Sequence, residues 1–208
     1  MKNNWQLSLL VISLLLSISV LATEPGISIG IKAGANLSNI YDSQSSDFQA
    51  DPKLGFAAGG FLSIPIGNFL AVQPELLFSQ RGFQGSRSVL LSNYSFTRTT
   101  NYIDIPLLLA FKPIPFITIL AGPQYSYLIS QNYKFNNEFI NLDQQEDFEN
   151  DNIRKNTLCL TGGFDINLDK IVIGIRAGWD LMDNNGDGTS TTARYKNTWT
   201  QATVGFRL

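Results

Sequence analysis

Ile171-Val172-Ile173-Gly174-Ile175-Arg176-Ala177-Gly178-Trp179-Asp180-Leu181-Met182 reads with a period of two. Ile171, Ile173, Ile175, Ala177, Trp179 and Leu181 fall on one side, and Gly174, Arg176, Gly178 and Asp180 on the other. Successive side chains of an extended chain point to opposite faces, so this stretch is a strand with one oily face and one small or charged face. A helical period would spread Ile171, Ile173 and Ile175 over both sides of a cylinder.

The same alternation recurs along the chain. In 27–37, Ile27, Ile29, Ile31, Ala33, Ala35 and Leu37 oppose Ser28, Gly30, Lys32, Gly34 and Asn36. In 54–64, Leu54, Phe56, Ala58, Gly60, Leu62 and Ile64 share a face. In 70–81, Leu70, Val72, Pro74, Leu76 and Phe78 oppose Gln73, Glu75, Ser79 and Arg81. A fourth stretch, 99–112, sets Ile103, Ile105, Leu107, Leu109 and Phe111 against Tyr102, Asp104 and Lys112. The fifth, 116–130, sets Ile117, Ile119, Ala121, Tyr125, Tyr127 and Ile129 against Thr118, Gly122, Gln124, Ser126 and Ser130; Leu120 and Leu128 break the polarity of the second face. In 156–168, Leu158, Leu160, Phe164, Ile166 and Leu168 oppose Thr157, Thr161, Gly163, Asp165 and Asn167. The last, 196–208, ends with Ala202, Val204, Phe206 and Leu208 opposite Gln201, Thr203, Gly205 and Arg207.

Eight strands emerge, each close to the roughly 9–11 residues that a tilted membrane strand needs. Their connections alternate. Residues 65–68, 113–115 and 169–170 make tight turns, whereas 39–53, 82–98, 131–155 and 183–195 read as long polar loops. The expected fold is therefore all-β: an eight-stranded antiparallel transmembrane β-barrel with short periplasmic turns and long extracellular loops, both chain ends lying in the periplasm. A soluble ligand-binding barrel also alternates, but it turns its apolar face inward. Here the minority face is Gly, Ser, Thr, Asn and scattered charge, too polar for a packed core.

The start of the chain has one early cation, Lys2, and an apolar run from Leu7 to Leu21 ahead of Ala22. This is the layout of a secretory signal peptide cut after Ala22, leaving residues 23–208 as one barrel domain; the run is short for a membrane-spanning helix. The chain contains no histidine, which removes Ser-His-Asp and Cys-His catalysis and imidazole bases. Its single cysteine, Cys159, is expected to be a small buried or lipid-facing side chain. The slightly acidic balance, with no basic stripe, speaks against nucleic-acid binding.

Four stretches carry a resemblance: Gly30-Ile31-Lys32-Ala33-Gly34-Ala35-Asn36-Leu37-Ser38, Gln73-Pro74-Glu75-Leu76-Leu77-Phe78-Ser79-Gln80-Arg81-Gly82, Tyr102-Ile103-Asp104-Ile105-Pro106-Leu107-Leu108-Leu109 and Gly122-Pro123-Gln124-Tyr125-Ser126-Tyr127-Leu128. Together they resemble the PorT-type porin family of outer-membrane β-barrels common in Bacteroidota. The resemblance implies a Gram-negative outer-membrane location and leaves activity open, since the namesake's link to protein secretion does not extend to every member. Barrels of this kind commonly finish on an aromatic residue. Here Ala202, Val204, Phe206 and Leu208 keep the phase of that assembly signal, and the last residue departs from it.

The bore of an eight-stranded barrel is just wide enough for side chains to fill. The inward charges expected there are Lys32, Glu75, Arg81, Asp104, Asp165, Arg176 and Asp180. Lys32, Glu75, Asp104 and Arg176 are expected to pair as one network near mid-strand, because unpaired burial would cost several kcal/mol, roughly, for each. Pro74, Pro106 and Pro123 each remove a donor from a strand, so local bulges or strand-end positions are expected at some of them. Outward Phe56, Phe78, Phe111, Tyr125, Tyr127, Trp179 and Phe206 read as interfacial girdles.

Asp183-Asn184-Asn185-Gly186-Asp187-Gly188 opens like a calcium loop, but position 12 is Arg194, so a polar outer loop is the better reading. Residues 131–155 hold Glu138, Asp143, Glu146, Asp147, Glu149 and Asp151, a solvated loop with the option of a binding surface.

The expected function is that of a non-enzymatic outer-membrane protein with a side-chain-filled lumen, anchoring surface loops for interaction or envelope maintenance. Its partners would be outer-membrane lipid, the barrel-assembly machinery and a surface or periplasmic protein; no catalytic, cofactor-binding or metal residues are expected. The alternatives are a narrow pore for small solutes or ions and, from the resemblance, a component linked to protein secretion. A barrel enzyme of the lipid-acyltransferase or protease type would need the histidine that is missing.

Overall fold

The computed structural model describes residues 26–41, 50–89, 92–137, 141–145, 153–184 and 194–208. Residues 1–22, expected to be an export segment, most of the acidic loop residues and the Asn/Asp/Gly run after Asn184 lie outside them. Nine strands are present among the described residues: β1 (Ser28–Tyr41), β2 (Ala50–Pro65), β3 (Leu70–Val89), β4 (Ser92–Ile114), β5 (Ile117–Asn137), β6 (Asn141–Gln145), β7 (Asn156–Leu168), β8 (Ile171–Asp180) and β9 (Lys196–Arg207).

Eight of them close into an antiparallel barrel in the order β1-β2-β3-β4-β5-β7-β8-β9. First and last strands zip together from Gly30 opposite Arg207 to Tyr41 opposite Lys196. The β4–β5 pairing completes the wall. A closed ring leaves no edge of unpaired backbone groups, which an open sheet would expose. The turns at 66–69, 115–116 and 169–170 lie at one end, together with Ser28 and Arg207.

The other end differs from the sequence expectation. Residues 82–98 are not a loop: β3 and β4 stay paired from Gly82 opposite Thr99 to Val89 opposite Ser92. A ninth strand, β6, pairs with the tip of β5, Asn132 opposite Gln145 through Asn136 opposite Asn141. The wall from β2 to β6 therefore rises beyond the rest of the barrel. These tips lack the oily alternation of the rest of the wall, and the pairing persists without it. Phe83 and Phe96 pack edge to face at 6.1 Å, and Phe96 stacks on Tyr133 at 5.9 Å.

The prolines also depart from expectation. Pro74 faces Leu107, Pro106 faces Gln124 and Pro123 faces Leu160, with the register unchanged on both sides. A missing donor opens a gap in the ladder, as beside Pro74, where β3–β4 pairing resumes at Leu77. An inserted residue would instead flip every later side chain to the wrong face. Register shifts fall between Pro52 and Ala57, Asn101 and Tyr102, and Phe111 and Ile114. Across from the first, Gly82 takes φ 147°, and a Cβ there would sit 2.0 Å from the Arg98 carbonyl oxygen. Only glycine fits this bend, and Ser38 Oγ fastens it, accepting from Gly82 N at 2.9 Å.

Polarity is inverted relative to a soluble domain. Ile31, Leu54, Leu76 and Val204 are 59%, 69%, 58% and 60% exposed, whereas Lys32, Asn36, Glu75 and Arg81 are buried. β8 alternates exposed and buried along its whole length. So much contiguous apolar surface exceeds what water tolerates on a monomer. The interior is less uniformly polar than the sequence reading had it. Ala71, Leu108, Ala110 and Leu120 form an apolar cluster toward the turn end, and Leu77 and Leu128 are also buried.

Candidate functional site: the charged lumen

Alternation and closure together force the second face of every strand into a bore narrow enough for its side chains to meet. The seven charges expected inside, Lys32, Glu75, Arg81, Asp104, Asp165, Arg176 and Asp180, are all buried. They meet as two clusters.

The first is built on Glu75 of β3. Lys32 of β1 donates to Glu75 Oε2, and Arg176 Nη1 of β8 donates to the same oxygen at 2.6 Å. Gln73 Nε2 donates to Oε1 at 2.8 Å. Arg176 then reaches back to Asp165 of β7, with Nη2 3.4 Å from Oδ2. One carboxylate thus ties three non-adjacent strands across the lumen, and two cations balance two acids.

Asp104 does not join this group. It pairs with Arg81 of β3, whose Nη2 lies 2.5 Å from Asp104 Oδ2, with Nη1 3.7 Å from Asp180 Oδ1. Lys32 is already taken by Glu75, and Asp104, opposite Leu77 on the β3–β4 ladder, is held instead by Arg81 of the adjacent strand. The second cluster continues as a ring of hydrogen bonds. Ser126 Oγ donates to Asp104 Oδ1 at 2.6 Å, and Cys159 Sγ donates to Asp180 Oδ1 at 3.1 Å, with Ser126 and Cys159 3.4 Å apart. Asn197 Nδ2 adds a 2.5 Å bond to Asp180 Oδ2. The Arg81 guanidinium lies 3.5 Å from the centre of the Trp199 ring, and Tyr102 flanks it at 4.8 Å. Gly178 makes this stack possible, because a Cβ there would lie 2.3 Å from the Trp199 ring.

A neutral chain also crosses the bore: Gln201 Nε2 donates to Asn36 Oδ1 at 2.9 Å, and Asn36 Nδ2 to Ser79 Oγ at 2.9 Å. Above the second cluster, Phe83 and Tyr195 meet at 5.2 Å, with Arg98 over the Tyr195 ring.

Sequence reasoning missed Arg98, Asn36, Gln201, Ser126 and Trp199 as members of the site. Arg98 was legible by phase, since it shares parity with Tyr102 and Asp104, but its segment read as a loop. Cys159 also has the inward phase, between Thr157 and Thr161, and is fully buried. The aromatics expected outside lie on the outer face: Phe111 and Phe206 near the turns, Tyr125, Tyr127 and Trp179 further along, and Phe56 stacked on Phe78 at 5.2 Å. Ala202, Val204, Phe206 and Leu208 also face outward. Among the described residues no group of three His, Cys, Asp or Glu side chains is placed to hold a metal ion.

No curated protein sequence matches the chain. Among solved structures it is similar to Ail, the attachment invasion locus protein of Yersinia pestis, at 14% identity and TM-score 0.47 over 87% of this chain and 98% of that one. It is also similar to Neisserial surface protein A, at 12% and 0.46 over 88% and 99%. The outer membrane protease OmpT from Escherichia coli aligns at 10% and 0.41 over 89% and 98%. The family model of the outer membrane protein beta-barrel domain matches residues 22–186, most of the chain, and the protein belongs to that family.

Proposed function

We propose that the chain is a non-enzymatic protein of the Gram-negative outer membrane, a plugged barrel that holds surface segments for interaction or envelope maintenance. The observation that carries this reading is the filled bore. Glu75 gathers Lys32 and Arg176 across the lumen, and Arg81 is clamped between Asp104 and the Trp199 ring. On this reading the turns at 66–69, 115–116 and 169–170 face the periplasm, and the tall wall of β3, β4, β5 and β6 stands outside the cell. The motifs on β1, β3, β4 and β5 support a place in the PorT-type branch.

Catalysis is disfavoured by chemistry. Ser126 and Cys159, the nucleophile types nearest to carboxylates, are sealed in the wall and have no imidazole to activate them. In planar lipid bilayers the purified barrel should give no unitary conductance steps; reproducible steps would favour the narrow pore. The outward phase of Val204, Phe206 and Leu208 supports recognition by the assembly machinery. Deleting residues 204–208 should lower outer-membrane levels, and normal levels would refute that role.

A further inference from the structure

The turn end of the lumen holds cations that the two charge clusters do not use. Lys112 of β4 and Arg207 of β9 each have the inward phase of their strand. Lys112 Nζ donates to Ser63 Oγ at 3.4 Å. Arg207 Nη2 donates to Asn167 Oδ1, and Asn167 Nδ2 donates to Thr118 Oγ1 at 2.9 Å. Two lines of donors therefore cross the same mouth, one from β4 to β2 and one from β9 through β7 to β5. The cations lie within electrostatic reach of each other. Among the described residues both have only neutral hydrogen-bond partners, and the buried Arg207 Nε has none. Asp165, whose charge Arg207 feels, is committed to Arg176. Ala71, Leu108, Ala110 and Leu120 close the bore on the inner side.

Two half-buried cations of like sign, held by a hydroxyl and an amide oxygen, form an incomplete arrangement, since guanidinium and ammonium groups make their strongest bonds to oxyanions. We propose that this vestibule, formed by Lys112, Arg207, Ser63, Thr118 and Asn167, binds a phosphate-type oxyanion. The terminal guanidinium nitrogen of Arg207 that is not bonded to Asn167, and Lys112 Nζ, supply the charge-assisted donors, with the hydroxyls of Ser63 and Thr118 bordering the site. The oxyanion is either a free ion entering at the turn end or the phosphate of a lipid headgroup at the rim. Lys170 is a built-in control. It sits on the outer side of the same end, its ammonium 5.9 Å from the centre of the outward Phe206 ring.

The test is thermal unfolding of the folded barrel in a non-ionic detergent, titrated with inorganic phosphate against chloride at constant ionic strength. The midpoint should rise saturably with phosphate. Lys112→Gln and Arg207→Gln should each weaken half-saturation by about tenfold, the loss of one charge-assisted bond. Lys112→Arg should retain the response, and so guards against a folding defect in Lys112→Gln. Lys170→Gln should leave it unchanged. The second arm compares nanodiscs of phosphatidylcholine alone with nanodiscs containing phosphatidylglycerol. Stabilisation by the anionic lipid that depends on Lys112 and Arg207 assigns the site to a headgroup; the phosphate response in detergent assigns it to a free ion. No saturable effect in either arm, or equal loss in Lys170→Gln, overturns the proposal.

Discussion

Replacing Glu75 by glutamine keeps the size of the side chain and one acceptor oxygen, and removes the charge that Lys32 and Arg176 share. Arg176 keeps Asp165, with 3.4 Å between Nη2 and Oδ2. Lys32 keeps the amide oxygen and the Phe61 ring at 5.9 Å, with no second carboxylate in pairing distance among the described residues. Removing one partner of a buried pair costs about 3–5 kcal/mol. The retained amide oxygen offsets about 1 kcal/mol, and Asp165 shields part of the Arg176 charge. The expected loss is therefore about 3 kcal/mol, read by urea unfolding in phospholipid vesicles with the folded fraction followed by electrophoretic mobility. Lys32→Met should cost less, because Glu75 still has Arg176 and Gln73. The double variant should be more stable than the sum of the single losses implies, by at least about 1.5 kcal/mol of coupling. A Glu75→Gln loss below about 1 kcal/mol, the size of a solvated surface pair, or strict additivity would refute a dry, shared carboxylate.

Gly82→Ala should destabilise the barrel by roughly 1–3 kcal/mol in the same assay, because φ 147° and the Arg98 carbonyl leave no room for a methyl group. Ile175→Lys, on the outer face of mid-β8, should cost about 2–4 kcal/mol if that face meets hydrocarbon; a neutral result would place it in water. Cys159 should resist maleimide in the folded barrel and react after unfolding. Cys159→Ser should stay within about 1 kcal/mol of the parent, since a hydroxyl can also donate to Asp180.

The membrane-facing part of the wall was legible because lipid imposes a rule on every second residue. Ile171 to Asp180 shows the limit of that rule in both directions. Its alternation places Arg176 and Asp180 in the bore, but nothing local says that Arg176 meets Glu75, which lies about a hundred residues away in sequence. Partner choice depends on the register around the whole ring, so Asp104 was grouped with Lys32 when it belongs to Arg81. Beyond the bilayer the rule lapses. Arg98 and Phe83 are buried strand residues in a stretch with no oily outer face to announce its phase, and 82–98 therefore read as a loop. Leu108 went unremarked, while Leu120 and Leu128 do lie on the inner face whose polarity they break: a membrane barrel still needs some apolar filling where no charge partner is within reach.

The most direct measurement sets Trp179 against Trp199. Twenty residues apart, they stand on opposite faces of the same wall, Trp179 38% exposed on the outside and Trp199 3% exposed against Arg81. In the chain from residue 23, variants retaining one tryptophan each can be folded into vesicles whose acyl chains are brominated. Emission from Trp179 should be strongly quenched and emission from Trp199 nearly untouched. Equal quenching, or quenching of Trp199 alone, would contradict a barrel whose oily face is solvated by lipid.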